Sequence, residues 1–138
     1  MAIWIVIIFC LLETVVLTTV IGSVVTTFWA PLAKQFPGKA FEPDAFRRNF
    51  QSISLGAISF GGCVHIVADD NFLHLIPSRF LSIFGCTSVS IPWEKIGKPS
   101  KQPYFSKRWA NITVDHHSKI LTIPRWCMDI KNTIRPFL

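Results

Sequence analysis

The stretch IWIVIIFCLLETVVLTTVIGSVVTTF, Ile3 to Phe28, determines the architecture because it is long enough to cross a membrane. Its residues are apolar, small or hydroxylated, and Glu13 is the only charged one. A bilayer core is about 30 Å thick and needs about 20 apolar helical residues. At about 1.5 Å per residue the stretch reaches roughly 39 Å, enough to span with some tilt. We therefore predict a transmembrane anchor over residues 1–29, with Trp4 and the pair Phe28-Trp29 as interfacial aromatic residues.

The charges flanking this stretch predict its direction. No Lys or Arg precedes it, which also distinguishes it from a cleaved secretory signal. Fourteen basic and seven acidic residues follow it, a net charge of +7 for that region. Because positively charged flanks stay in the cytoplasm, we expect the N-terminus outside and the C-terminal domain in the cytoplasm. The basic domain favours anionic surfaces, and the anchor makes lipid headgroups a nearer partner than nucleic acid.

The rest of the chain reads as a linker and one small domain. Pro37-Gly38 breaks any helix that follows the anchor, so residues 30–49 are predicted as a juxtamembrane linker. Residues 50–138 alternate apolar and polar side chains with period two, which predicts about six short antiparallel strands, with a turn at Ser59–Gly62. Trp126 to Ile134 reads as a C-terminal helix that ends before Pro136. The predicted fold class is α+β: a small antiparallel β-roll closed by a helix.

Two short motifs carry a resemblance. Trp29 to Pro37 reads WAPLAKQFP after the anchor, and Val89 to Ile96 reads VSIPWEKI after the strand around Leu73-His74-Leu75. The layout resembles the pleckstrin-homology (PH)-like superfold, including GRAM-type domains, and is similar to small uncharacterised bacterial single-pass membrane proteins. The resemblance implies a PH-like domain at the cytoplasmic face of the inner membrane, and it implies no catalytic residues.

Two features of the anchor are candidates for contacts within the membrane. Small and hydroxylated residues recur every four positions, a spacing that lets two helices approach closely: Thr14, Thr18, Gly22 and Thr26. This ridge predicts a packing face for a second copy or another membrane protein; alternatively, each hydroxyl bonds its own backbone. Glu13 lies near the predicted midplane, where a charge is costly. Glu13 either makes a hydrogen bond to a partner helix or has a proton-linked role, or it stays protonated in a lone anchor because desolvation disfavours its charged form.

The chain offers little for catalysis or metal binding. Cys63, His65 and His74 could share a sheet face, and Asp115-His116-His117 lies in a predicted turn, but neither set supplies the ligands of a zinc site. No CxxC spacing joins the four cysteines, which fits a reduced compartment. No nucleophile elbow or phosphate-binding glycine loop occurs. We therefore expect no enzyme, no metal and no cofactor.

Basic and aromatic residues interleave after the VSIPWEKI motif, a mixture that suits an anionic bilayer surface. The candidate lipid contacts are Lys95, Lys98, Lys101, Tyr104, Phe105, Lys107 and Arg108. The alternative is a solvated loop whose aromatic residues fill the core of the domain. The same mixture would suit single-stranded nucleic acid, but the membrane anchor favours lipid.

These features favour a membrane-anchored, non-catalytic binding or scaffold protein. Its expected partners are the lipid bilayer and, through the anchor, a second copy or another membrane protein. The alternatives are a sensor of anionic lipid surfaces and an accessory subunit of a membrane enzyme or transporter that uses Glu13.

Overall fold

The N-terminal apolar stretch forms one continuous helix that extends beyond the predicted anchor. The computed structural model describes residues 1–56, 58–97, 108–114 and 120–134. In it, α1 (Ala2–Val24) continues through a π-helical turn (Val25–Trp29) into α2 (Ala30–Gln35). Pro31 accounts for the wide turn, because it has no N–H for the carbonyl four residues back and its ring crowds that carbonyl. We refer to Ala2–Gln35 as the N-terminal helix.

Six strands form one antiparallel sheet in the order β4-β3-β2-β1-β6-β5. The sheet curls into a half-barrel, and an isolated bridge between Ile96 and Val114 joins the segments that follow β4 and β5. The predicted α+β class, with about six strands in a PH-like roll, is confirmed. The strands are β1 (Phe46–Leu55), β2 (Ile58–Ala68), β3 (Phe72–Pro77), β4 (Val89–Pro92), β5 (Trp109–Ile112) and β6 (Leu121–Pro124).

Two further helices complete the domain. The short helix α3 (Arg79–Ile83) follows β3, and α4 (Arg125–Ile134) contacts β5 and β6, as predicted for the C-terminal helix. A 3-10 turn (Trp93–Lys95) follows β4. Alternate strand residues point inward and build the core, as the period-two pattern requires. Its most buried strand residues include Ile53, Leu55, Val64, Ile66, Leu73, Leu75, Val89 and Ile91.

The sheet has two ends that differ in what surrounds them. We call the end with Leu55, Ile58 and Pro77 the proximal end, because the N-terminal helix reaches the domain there. The end with Ala68 and Phe72 is the distal end. At about 3.3 Å per residue, Ile58 and Ala68 lie roughly 30 Å apart along β2, whereas Pro77 and Phe72 lie roughly 17 Å apart along the shorter β3.

The turn between β1 and β2 does not lie at the Gly61-Gly62 pair, where the sequence predicted it. Ser59–Gly62, predicted as a turn, lies inside β2, and the strands reverse instead after Gly56, whose φ is +59°. Glycine tolerates this left-handed conformation, which other residues rarely adopt. Gly62 also has a positive φ, and its N–H donates to Ser52 Oγ at 2.8 Å. The Gly61-Gly62 pair therefore marks an irregularity in β2, not its end.

The range predicted as a linker, 30–49, is largely part of the folded domain. α2 is packed into the core, and β1 begins at Phe46. Between them the chain follows the outer edge of β4: Pro37 forms a bridge with Val89, and Ser90 N–H donates to Phe36 O at 3.1 Å. An uncovered strand edge would present unpaired backbone groups. This segment is held in place because it covers that edge.

Gly38 is required where this segment passes β4. A Cβ at Gly38 would lie 2.7 Å from Ser88 Cβ and 3.0 Å from Ser88 O, whereas one at Gly61 would meet nothing within 4 Å. We expect Gly38→Ala to lower the free energy of unfolding by about 1–3 kcal/mol through overpacking. Gly61→Ala is the matched control and should leave it nearly unchanged. Urea unfolding in detergent micelles measures both, and equal midpoints for the two variants would contradict the close approach.

Candidate functional site

The N-terminal helix packs against the sheet through a buried apolar face. Val25, Trp29, Leu32 and Phe36 lie on one helical face and are all buried. The ring of Trp29 packs edge-on against Phe60, with centroids 5.5 Å apart, and Trp29 Nε1–H donates to Thr87 O at 2.8 Å. The helix is therefore fixed to the sheet by packing and by a directed hydrogen bond.

This burial corrects the predicted role of Trp29. We expected Phe28-Trp29 to lie at the membrane interface, but Trp29 is fully buried and Phe28 packs against the core. The indole reaches the sheet because the helix continues past the apolar stretch instead of ending there. Trp4 remains exposed.

The exposed part of the helix matches a bilayer in length. Every residue from 1 to 20 is exposed, and burial begins at Ile21 and Gly22. Twenty helical residues extend about 30 Å, the thickness of a bilayer core. The helix Ala2–Gln35 is long and apolar enough to cross a membrane.

The predicted packing residues of the anchor are placed as follows. Thr14 Oγ1 donates to Cys10 O at 2.8 Å and Thr18 Oγ1 to Thr14 O at 2.7 Å, so both hydroxyls bond the backbone of their own helix. Gly22 is half-buried where the domain begins, and the side chain of Thr26 lies outside the described part of the structure. A packing face for a second helix stays a prediction, as does a role for Glu13, which is exposed on α1.

The candidate lipid contacts divide between described and undescribed residues. Lys98, Lys101, Tyr104, Phe105 and Lys107 lie outside the described residues. Lys95 follows Trp93, whose Nε1–H donates to Asp69 O at 2.7 Å next to the β2–β3 turn. Arg108 borders a surface cleft together with Trp126 and Asp129. Both described members thus lie near the distal end.

A buried polar network, which the sequence did not predict, joins three strands at the distal end. His74 Nε2–H donates to Asp69 Oδ2 at 2.8 Å, and His74 Nδ1 is hydrogen-bonded to Ser90 Oγ at 2.7 Å. Asp69 Oδ1 accepts the backbone N–H groups of Asn71 and Phe72 at 2.9 and 2.7 Å. Burial raises the pKa of Asp69, but the hydrogen bonds from His74, Phe72 and Asn71 outweigh it and hold the pKa below its usual value.

The order Asp-His-Ser is that of a hydrolytic triad, but its surroundings are those of a structural network. Ser90 is 2% exposed, and its Oγ also accepts the backbone N–H of Lys39 at 2.8 Å. The ring of Phe41 lies over His74 with centroids 5.6 Å apart. The Ser90 hydroxyl is therefore enclosed by its hydrogen-bond partners, His74 and the backbone of Lys39. Its hydrogen bond to Lys39 holds the segment after α2 against the sheet.

The residues predicted to share one sheet face do so without forming a common site. The register pairs His65 with Ile76 and His74 with Val67, which places both histidines on the outer face. His65 Nδ1 accepts the N–H of Phe50 at 3.0 Å, whereas His74 bonds Asp69 and Ser90. Among the described residues no group of three or more His, Cys, Asp or Glu side chains could hold a metal. Asp115-His116-His117 lies outside the described part of the chain.

The buried cysteines are poor nucleophiles. Burial raises the pKa of Cys86 to about 11 and raises the pKa of Cys127 still further. Both therefore stay as thiols at neutral pH, and the thiolate is the reactive form.

Carboxylates are concentrated around a cleft at the distal end. This cleft, of about 390 Å³, is bordered by Glu42, Asp44, Asp69, Asp70 and Asp129 together with Arg48. Partial desolvation and the carboxylates of Asp70 and Asp69 raise the pKa of Glu42. Arg48 lies over the rings of Phe46 and Trp126, at 5.5 and 5.1 Å from their centroids. A chain with net charge +6 thus carries five of its eight acidic residues around one cleft at the distal end.

Comparison of the chain with family models, curated proteins and solved structures gives no match.

Proposed function

We propose that this protein is a membrane-anchored, non-catalytic binding or scaffold protein that holds a PH-like domain at the cytoplasmic surface of the inner membrane. The observation that carries the proposal is the continuity of the N-terminal helix. Its first 20 residues are exposed and apolar, and its last turns belong to the core of the domain. One element thus serves as both anchor and core helix.

This continuity supports a scaffold because it removes the freedom of a linker. A flexible tether would let the domain tumble, whereas a helix fixed by Trp29 and Leu32 holds it at one height and orientation. A binding surface that is already oriented loses less entropy when a partner binds. The distal end, with its carboxylate-bordered cleft, then faces away from the bilayer.

The basic residues support the cytoplasmic orientation. Lys34, Lys39, Arg47 and Arg48 are all exposed and follow the apolar stretch closely, the region where positive charge determines topology. No Lys or Arg precedes the stretch.

Single-cysteine labelling tests this proposal. In a Cys63→Ser background, we expect Ser88→Cys, on the exposed surface of the domain, to react with a membrane-impermeant maleimide only after spheroplasts are opened. Ala2→Cys should react in intact spheroplasts, because it lies at the other end of α1. The protein should also stay in the membrane pellet after alkaline extraction.

Two results would overturn the proposal. Release of the protein by alkaline extraction would show that the N-terminal helix does not anchor it in the membrane. Labelling of Ser88→Cys in intact spheroplasts would show that the domain lies on the opposite side of the membrane from the one proposed. The Cys63→Ser protein without an added cysteine is the control for background reaction.

A further inference from the structure

The short helix α3 exposes an apolar surface that the fold leaves uncovered. Leu81 faces the core with 4% exposure, whereas Phe80 and Ile83 are 53% and 76% exposed. Phe84 follows one position later and packs against Phe80, with ring centroids 5.4 Å apart. Positions 80, 83 and 84 have the spacing of one helical face. We call Phe80, Ile83 and Phe84 the α3 patch.

The position of the α3 patch relative to α1 points to its partner. An apolar crevice of about 190 Å³ lies between the end of α1 and the domain. It is bordered by Val20, Ile21, Val24 and Val25 on one side and by Phe60, Phe80 and Leu81 on the other. The patch therefore lies beside the helix at the level where its exposed stretch ends. About 30 Å of helix precedes that level, which is the thickness of a bilayer core.

The distribution of charge fits the same partner. Outside α1, the described residues carry six carboxylates, and five of them border the distal cleft while Glu94 lies in the adjacent 3-10 turn. Arg79, at the start of α3, is exposed. Along β3, which leads from the distal end to α3, the separation is roughly 17 Å, about twice the Debye length of about 8 Å at physiological salt. Repulsion between the distal carboxylates and an anionic bilayer beside α3 is therefore largely screened.

We propose that the α3 patch inserts into the boundary between headgroups and acyl chains of the bilayer that α1 spans. The inference rests on the proposed function, since it requires α1 to be in the membrane. Apolar side chains beside a membrane helix continue its lipid-facing surface, and burying them in the interface removes them from water. The domain is then held to the membrane at two places, α1 and α3, which fixes its tilt.

This inference differs from lipid contact through the Lys95–Arg108 region. Contact through lysines depends on anionic lipid and weakens with salt. Insertion of Phe80 and Ile83 depends on apolar burial and should occur equally in zwitterionic bilayers at high salt. Lys95 and Arg108, the described members of that region, lie near the distal end, whereas the α3 patch lies beside the N-terminal helix, so a depth measurement separates the two contacts.

Fluorescence quenching in proteoliposomes tests the proposal on the full chain. An environment-sensitive dye is attached to Ile83→Cys in a background that carries Cys10→Ser and Cys63→Ser, because neither of these native cysteines is buried. The labelled protein is placed in phosphatidylcholine vesicles with or without acyl-chain bromination. We expect blue-shifted emission and a clear loss of intensity, strongest with bromine near the headgroup. Glu94→Cys, exposed at the distal end, is the matched control and should show neither change. Leu12→Cys, within α1, should be quenched most by deep bromine.

The three labels separate the outcomes. Quenching at position 12 without quenching at position 83 overturns the α3 insertion and leaves the proposed function intact. Absence of quenching at both positions overturns the proposed function as well. Quenching at position 83 that requires phosphatidylglycerol and disappears at high salt also overturns the proposal, because it would show electrostatic and not apolar contact. Protease resistance of each labelled protein verifies that the domain is folded.

Discussion

Replacing Trp29 by alanine is expected to lower the free energy of unfolding of the domain by about 3–5 kcal/mol, the cost of removing a large aromatic side chain from a core. Trp29 is fully buried, packs against Phe60 and donates its indole N–H to Thr87 O. Truncation leaves a cavity and removes the donor from that carbonyl. The helix should then loosen from the sheet, and the domain would lose its fixed orientation at the membrane.

Trp4→Ala is the matched control, since it removes the same side chain from an exposed position of the same helix. We expect it to leave the unfolding of the domain unchanged. Urea denaturation in nanodiscs, monitored by limited proteolysis, measures the free energy of unfolding of both variants. Equal stability of the two would show that the helix does not hold the domain and would remove the main support for a rigid scaffold.

The fold was largely predictable from the sequence because its signals are local. A long apolar run and a period of two are properties of neighbouring residues, and they predicted the helix and the six strands. Trp29 was misplaced because an aromatic residue at the end of an apolar run is typical of a membrane interface. The signal for burial was present in the spacing of Val25, Trp29, Leu32 and Phe36, which continues one helical face up to the break at Pro37-Gly38.

The polar network could not be predicted, because it depends on which segments meet in the fold. Alternation correctly placed His65 and His74 on the outer face of the sheet. It gave no sign that the segment after α2 would cover His74 with Phe41, or that Ser90 would lie opposite it on β4. The sequence PSRFLSIFG, residues 77–85, predicts a turn or a short helical piece, and a short helix is found there. Its exposed face was not predicted, because exposure depends on how α3 packs, and Leu81 is its one buried residue.

These features together give the domain two ends that differ in chemistry. The proximal end is apolar and joined to the N-terminal helix, and the distal end carries the cleft, the carboxylates and the polar network. Under the proposed function, membrane contact at one end and partner binding at the other could therefore change independently.

The second large effect is expected at Asp69, where Asp69→Ala should lower the free energy of unfolding by about 3–5 kcal/mol, because it removes a buried carboxylate that accepts several hydrogen bonds. The carboxylate accepts three hydrogen bonds, from His74 and from the N–H groups of Asn71 and Phe72. All three donors lose their acceptor in the variant. Asp44→Ala, at an exposed position of the same cleft, is the matched control and should have little effect.

Acid titration of stability provides the independent readout for Asp69. Its pKa is lowered in the folded state from the ordinary value of 3.8, because its hydrogen bonds outweigh the opposing effect of burial. The ionised form therefore stabilises the fold fully above about pH 4, and this contribution is lost as the pH falls through the lower folded-state value. Asp69→Asn keeps the shape but cannot ionise, so its stability should fall less steeply than that of the wild type below pH 4. Because the Asp69 carboxylate also raises the pKa of Glu42, both proteins carry Glu42→Gln, and the difference between the two curves then reports on Asp69. Parallel curves would show that the carboxylate charge contributes nothing to the network.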